Sequence, residues 1–196
     1  MARPRNTEER REEIARGLLE VMAQRGYERA SVAGIARAAG LSPGLVHYHF
    51  QSKQQILLHL IAGLGEDLER RLDEQVQAAG NDPGARLRAF VEAQLSLRDA
   101  DPRRVACWVG AAAESIRQPD VAAAFGAALR RPHELLVELL RAALVARGRS
   151  PRRARALAAA VQAATQGYFL LAVAAPEVTP EGSAARTLTE LLGDLA

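Results

Sequence analysis

A chain of 196 residues, 48% apolar and carrying a net charge of +3, is long enough to bury one or two cores and too apolar to be a disordered or purely solvating polymer. Only 4% of residues are aromatic, and Ala, Leu, Arg and Glu recur throughout, so an all-α fold is expected. The lone Cys107 excludes an internal disulfide, and no apolar leader follows the polar start MARPRNTEERREE, which points to the cytoplasm.

Helix starts are marked by repeated punctuation. A small polar residue can cap a first turn while proline, already fixed near the helical φ, takes the first helical position. The pairs Ser42-Pro43, Asp82-Pro83, Asp101-Pro102, Ser150-Pro151 and Thr179-Pro180 all fit, as do the capping boxes Asn6 to Glu9 and Ser52 to Gln55. With weaker starts near Ser31 and Gln118-Pro119, they predict about nine helices: 6–25, 31–39, 43–49, 53–78, 83–98, 102–115, 119–147, 151–174 and 180–194. Pro132 is expected to bend or split the seventh.

The apolar spacing agrees. In the first helix Ile14, Leu18, Val21 and Met22 share a face. In the fourth, Ile56, Leu57, Leu60, Ile61, Leu64, Leu68, Leu72 and Val76 keep one face apolar for about six turns, enough to join a small N-terminal bundle to a second helical body. The Ala-rich stretch 156–175 is broken by Gln162, Thr165, Gln166 and Gly167 and reads as a buried helix, not a membrane span.

Charge is unevenly placed. Residues 1–53 hold nine Lys or Arg against six acids, while the remainder holds 17 of each sign, so all the positive excess lies in the first quarter. Such an excess suits an anionic partner; a mixed solvated surface is the alternative.

That quarter contains SVAGIARAAGLSPGLVHYHF, residues 31–50. A short helix with inward Val32, Ile35, Ala36 and Ala39 should stop at Gly40, and a second should start from the Ser42 cap, with Val46 and Phe50 inward and Pro43, Gly44, His47 and Tyr48 outward. His47 and His49 are two apart, pointing about 200° from each other on a helix, so they cannot jointly bind one metal as an i, i+4 pair would. No nucleophile elbow, phosphate loop, metal-spaced cysteines or paired catalytic carboxylates are present, so neither enzyme activity, a metal nor a cofactor is expected.

The run from Ser31 to Leu57, SVAGIARAAGLSPGLVHYHFQSKQQIL, resembles the DNA-binding signature of TetR-type transcriptional regulators. The shared features are a Ser or Thr opening the second helix, an Ile-Ala pair, Ala-Gly-Leu-Ser at the turn, a following Gly, Tyr-His-Phe, and a Lys three residues on. The resemblance implies a DNA-binding domain over 1–52 and a ligand-binding and dimerisation domain over 53–196. It implies that Ser31, Tyr48, His49 and Lys53 contact phosphates, and that Ser42, Gly44, Leu45 and His47 lie at the recognition surface near base edges or the sugar-phosphate rim. Arg3 and Arg5 would form an arm able to reach a groove or the backbone; an undefined basic tail is the alternative. Leu45 and His47 depart from the hydroxyl residue and tyrosine common in the family, which bears on the operator sequence.

For the second body the resemblance implies a homodimer formed through the last two long helices, and a small-molecule pocket. A dimer face is sought in Leu157, Val161, Ala164, Tyr168, Leu171 and Ala172, with Leu188, Leu191, Leu192 and Leu195. Candidate pocket residues are Phe90, Gln94, Trp108, Glu114, Phe125, Gln166 and Phe169, bulky or polar groups on Leu- and Ala-rich helices, with ordinary core packing as the alternative. Cys107 is read as a small buried hydrophobe before a thiol sensor. The expected function is a repressor that binds a palindromic operator and is released by an inducer; the alternative is a helical ligand-binding or scaffold protein that does not touch DNA.

Overall fold

The computed structural model describes residues 4–96, 101–179 and 182–195, with side chains for 7–96, 101–179 and 182–193. The described residues form nine α-helices: α1 (Pro4–Arg25), α2 (Val32–Ala38), α3 (Pro43–His49), α4 (Lys53–Ala78), α5 (Pro83–Leu95), α6 (Pro102–Ser115), α7 (Pro119–Ala146), α8 (Ala154–Ala174) and α9 (Ser183–Leu195). Short 3₁₀ turns at Pro151–Arg153 and Pro176–Val178 precede the last two.

The caps expected from sequence close the starts of α2, α3, α4 and α5. Backbone N–H groups of Gly34, Leu45 and Ala85 donate to the side chains of Ser31, Ser42 and Asp82 at 3.1, 3.2 and 2.7 Å. Ser52 accepts from the Gln55 N–H at 3.2 Å, while the Gln55 side chain reaches back past it to the N–H of Gln51 at 2.9 Å. Three expectations shift. α1 begins at Pro4, ahead of the Asn6 box; α9 begins at Ser183, while Thr179 closes the preceding 3₁₀ turn. Of the two outcomes expected at Pro132, a bent helix or a split one, α7 is not split: it runs through Pro132 as one 28-residue helix. Residues 151–174 are long and apolar enough to cross a membrane, but they do not form the buried helix expected: 22% of their most apolar window is covered.

Two compact units divide the chain, Met1–Gly65 with Arg103–Ala128, and Glu66–Pro102 with Leu129–Ala196. In the first, α1, α2 and α3 pack on one another around Ile14, Leu18, Ile35, Val46, Phe50, Ile56 and Leu57. α1 and α2 meet closely at Gly17, where a Cβ would stand 2.7 Å from the Ile35 carbonyl oxygen and 3.0 Å from the Ala39 Cβ. Ala39, half-buried, therefore serves the α1–α2 contact. In the second unit α5 packs on α9, and Leu87, Phe90, Val91, Leu136, Leu140 and Leu192 are buried.

Candidate nucleic-acid interface

The turn between α2 and α3 is built as its sequence requires. Gly40 takes φ +69°, a left-handed conformation costly for residues with a Cβ, and the Leu41 N–H reaches back to the Ala36 carbonyl at 2.8 Å. Ser42 then caps α3, and Val46 and Phe50 anchor it, at 1% and 2% exposure. Arg11 of α1 fixes the other end: its guanidinium lies 4.5 Å from the Phe50 ring centroid and donates to the His49 carbonyl at 3.4 Å, a cation at the negative end of the helix.

What remains outward is a polar surface. Ser42, Gly44 and His47 are exposed, Leu45 is half-buried, and Tyr48 is 76% exposed. His49 is half-buried, its ring 5.1 Å from that of Tyr48 in an edge-on pair. A tyrosine so exposed contributes nothing to the core of its own unit, and nothing within 4 Å would meet a Cβ at Gly44. Ser31 is exposed at the start of α2 and accepts from Gly34, which leaves its hydroxyl proton for an outside acceptor.

Lys53 is differently placed from an open surface cation. Its ammonium donates to the carbonyl oxygens of Tyr27 and Glu28 at 2.9 and 3.3 Å and lies 4.2 Å from the Tyr27 ring centroid. Burial, and then the Glu114 carboxylate, push the Tyr27 phenol above its ordinary range. Arg3 and the Arg5 side chain lie outside the described residues. His59 sits on α4 with its ring 5.6 Å from Phe50 and its Nε2 3.8 Å from a Glu8 oxygen.

α6 is tied to this head by polar and sulfur contacts. Arg103 pairs with Glu20, and the Cys107 Sγ lies 3.7 Å from the Met22 Sδ. Arg117, just past α6, bridges Glu28 at 2.7 Å and Glu114 at 2.9 Å, while Gln118 donates to the other Glu114 oxygen at 2.8 Å. Glu114, then Glu28, hold the Arg117 guanidinium above its usual range. Burial pushes the Cys107 thiol up to about 12, so it is not the reactive thiolate a sensor needs.

The candidate pocket residues fall into two groups. Trp108 and Phe125 stack with centroids 4.5 Å apart in the first unit, which also holds Glu114. Phe90, Gln94, Gln166 and Phe169 belong to the second. Phe90 and Phe169 are buried, and Gln94 is 1% exposed with neither amide atom hydrogen-bonded. Gln162 has the same unpartnered amide atoms. A cavity of about 30 Å³ lies among α5, α7 and α9, lined by residues such as Leu87, Val91, Arg147 and Thr189 and by none of the candidates.

A capped short helix, a left-handed glycine turn and a second helix with an exposed polar face define a helix-turn-helix transcriptional regulator. Residues 14–60 match the bacterial regulatory proteins of the tetR family, and residues 83–196 match the C-terminal part of the BetI-type transcriptional repressor. The chain belongs to the tetR family, and it is a regulator, not an enzyme. It is 28% identical to the HTH-type transcriptional regulator BetI of Brucella suis, over 92% of this chain and 88% of that protein. A transcriptional regulator from Rhodococcus sp. Rha1 shares its fold with a TM-score of 0.77 and 28% identity, over 93% of this chain and 94% of the other. A transcriptional regulator from Saccharomonospora viridis, solved in complex with choline, superposes with a TM-score of 0.74 and 25% identity, over 95% of each chain.

Proposed function

We propose that the chain is a homodimeric repressor that binds a palindromic operator through α3 and is released by a small organic inducer. The observation that carries the reading is the outward face of α3, where Gly44, His47 and Tyr48 are exposed on a helix anchored from beneath by Val46 and Phe50. Residues 1–52 read DNA and 53–196 bind the ligand and the partner. Ser42, Gly44, Leu45 and His47 form the recognition surface near base edges or the sugar-phosphate rim; Ser31, Tyr48, His49 and Lys53 serve phosphates, with Arg3 and Arg5 as the arm.

Dimerisation is supported by α8. One face is buried through Ala154, Ala158, Val161, Thr165 and Phe169, yet the opposite side is also apolar, with exposed Ala156, Ala160, Ala163 and Leu170. Two recognition helices related by a two-fold axis then read two half-sites. An inducer is supported by Gln94, whose buried amide is unpartnered, an arrangement that costs about 1–3 kcal/mol unless a bound molecule satisfies it. The choline-bound relative makes a quaternary ammonium compound the first ligand to try. Its release of DNA is a shared free energy, so DNA weakens ligand binding by the same factor.

Selection of bound duplexes from a random pool tests the reading. Recovery of an inverted repeat at physiological salt supports it. If no duplex is retained, the chain is a ligand-binding or scaffold protein.

A further inference from the structure

We infer that Arg25, Arg29 and Arg37 form a second cationic contact for the phosphate backbone of the same duplex, in a groove beside α2; this rests on the DNA-binding reading above. A concavity of about 190 Å³ runs between α1 and α2, lined by Gln24, Arg25, Arg29, Ser31, Gly34 and Arg37 among others. Arg25 ends α1, Arg29 lies on the loop and Arg37 ends α2, so three separate elements deliver guanidinium groups to one groove. Gly34 lines it without a side chain, and a Cβ there would stand 3.2 Å from the Ser31 hydroxyl.

The charge of this groove is left uncancelled by a specific arrangement. The two acids flanking it in sequence, Glu20 and Glu28, are each taken by an arginine from elsewhere, Arg103 and Arg117. No ion pair or side-chain hydrogen bond joins the Arg25, Arg29 or Arg37 guanidinium to any described residue. In this way two basic residues from α6 and its end pair with Glu20 and Glu28, the acids next in sequence to the groove, and leave the charge of Arg25, Arg29 and Arg37 beside Ser31 uncancelled.

Exposure decides which anion fits. A site for a small free anion buries its charged groups around one point, whereas all three arginines here are exposed and set along a groove. They suit a polyanion that brings its own surface, and the unit that holds them also carries the exposed face of α3. Guanidinium groups so placed would fix the register of the duplex without reading its sequence.

The test measures affinity of the full-length protein against salt for its selected operator and for a scrambled duplex, with wild type, the triple Arg25→Gln, Arg29→Gln, Arg37→Gln variant, and the triple lysine variant. The slope of log affinity against log salt should fall by about 2–3 per protomer in the glutamine variant, at about 0.9 for each phosphate no longer neutralised, and be kept by lysine. The ratio of operator to scrambled affinity should stay within about twofold, because phosphate contacts carry no sequence information. All three residues are exposed, so circular dichroism melts of the variants should overlay wild type. An unchanged slope in the glutamine variant, with wild type still binding, overturns this inference alone; a wild type that binds neither duplex overturns the DNA reading with it. Saturable binding of inorganic phosphate at fixed ionic strength, abolished in the glutamine variant while the DNA slope stays, would mean a free-anion site and also overturn it.

Discussion

The Lys53 ammonium donates to the Tyr27 carbonyl oxygen at 2.9 Å and lies over the ring of the same residue, joining the first turn of α4 to the α1–α2 loop. Two of its three donors are therefore used inside the protein, and one is left for a phosphate. Lys53→Ala should lower stability by about 1.5–3 kcal/mol in urea melts, the scale of a charge-assisted hydrogen bond, and weaken all duplexes alike while reducing the salt slope by about 0.9. A stability loss with an unchanged slope would leave Lys53 as a tether and remove it from the DNA contacts.

Two glycines of the head should respond oppositely. At Gly17 a Cβ would press on the Ile35 carbonyl at 2.7 Å, an atom fixed by its helix, so Gly17→Ala should cost about 1–3 kcal/mol in chemical denaturation. At Gly44 nothing lies within 4 Å, so Gly44→Ala should keep or raise stability, by up to about 1 kcal/mol, yet weaken operator binding if the α3 backbone approaches DNA closely. An alanine at 44 that binds the operator as tightly as wild type would exclude that approach.

Arg117 should matter through what it leaves behind. Arg117→Ala strips Glu114, whose side chain is only 8% exposed, of one of its two hydrogen-bond donors. Glu28→Ala removes only an exposed partner. The urea midpoint should fall clearly more for Arg117→Ala than for Glu28→Ala; equal midpoints would mean that Gln118 alone satisfies the buried carboxylate.

These relationships mark what was legible in the sequence. Helix starts are set by local caps, so Ser42, Ser52 and Asp82 announced α3, α4 and α5 from a few neighbouring residues. The inward set of α2 and α3 followed from periodicity, with Ile35, Ala36, Val46 and Phe50 buried as expected and Val32 and Ala39 half-buried. The positive excess was countable, but not which arginines keep it, because Glu20 and Glu28 are matched from 83 and 89 residues away. The engagement of Lys53 by carbonyls 25 and 26 residues earlier was hidden for the same reason. On α8 the stripe sought for a dimer straddles two faces: Val161 is buried, Leu157, Tyr168 and Ala172 are half-buried, and Ala164 and Leu171 are exposed. A helix with apolar residues on two opposite faces gives periodicity little contrast to report.

Cys107 sets a pH prediction. Burial raises its pKa from 9.0 to about 12, so between those values the unfolded chain has lost the proton that the folded protein still holds. The thiol's contribution is fully present below pH 9 and is lost as pH rises toward 12, so stability should fall across that window, and less so in Cys107→Ala once its lower baseline is subtracted. At neutral pH, reaction with an aromatic disulfide reagent should proceed at the rate of local opening; prompt stoichiometric labelling of the native protein would contradict the burial.

The outward face of α8 supplies the sharpest test of assembly. Leu170 is 51% exposed and Val173 45%, one turn apart, and the small residues Ala156, Ala160 and Ala163 on the preceding turns would let a second helix approach closely. A charged residue there removes nothing from the protomer's core but must be desolvated in a dimer. Leu170→Arg should therefore leave helicity unchanged, convert the protein to a monomer in light scattering, and abolish the dependence of the melting temperature on concentration. Operator affinity should fall at least about tenfold, because the two half-sites are no longer bound by one linked particle, while affinity for a single half-site is retained. A Leu170→Arg protein that stays dimeric would move the partner surface off this face of α8.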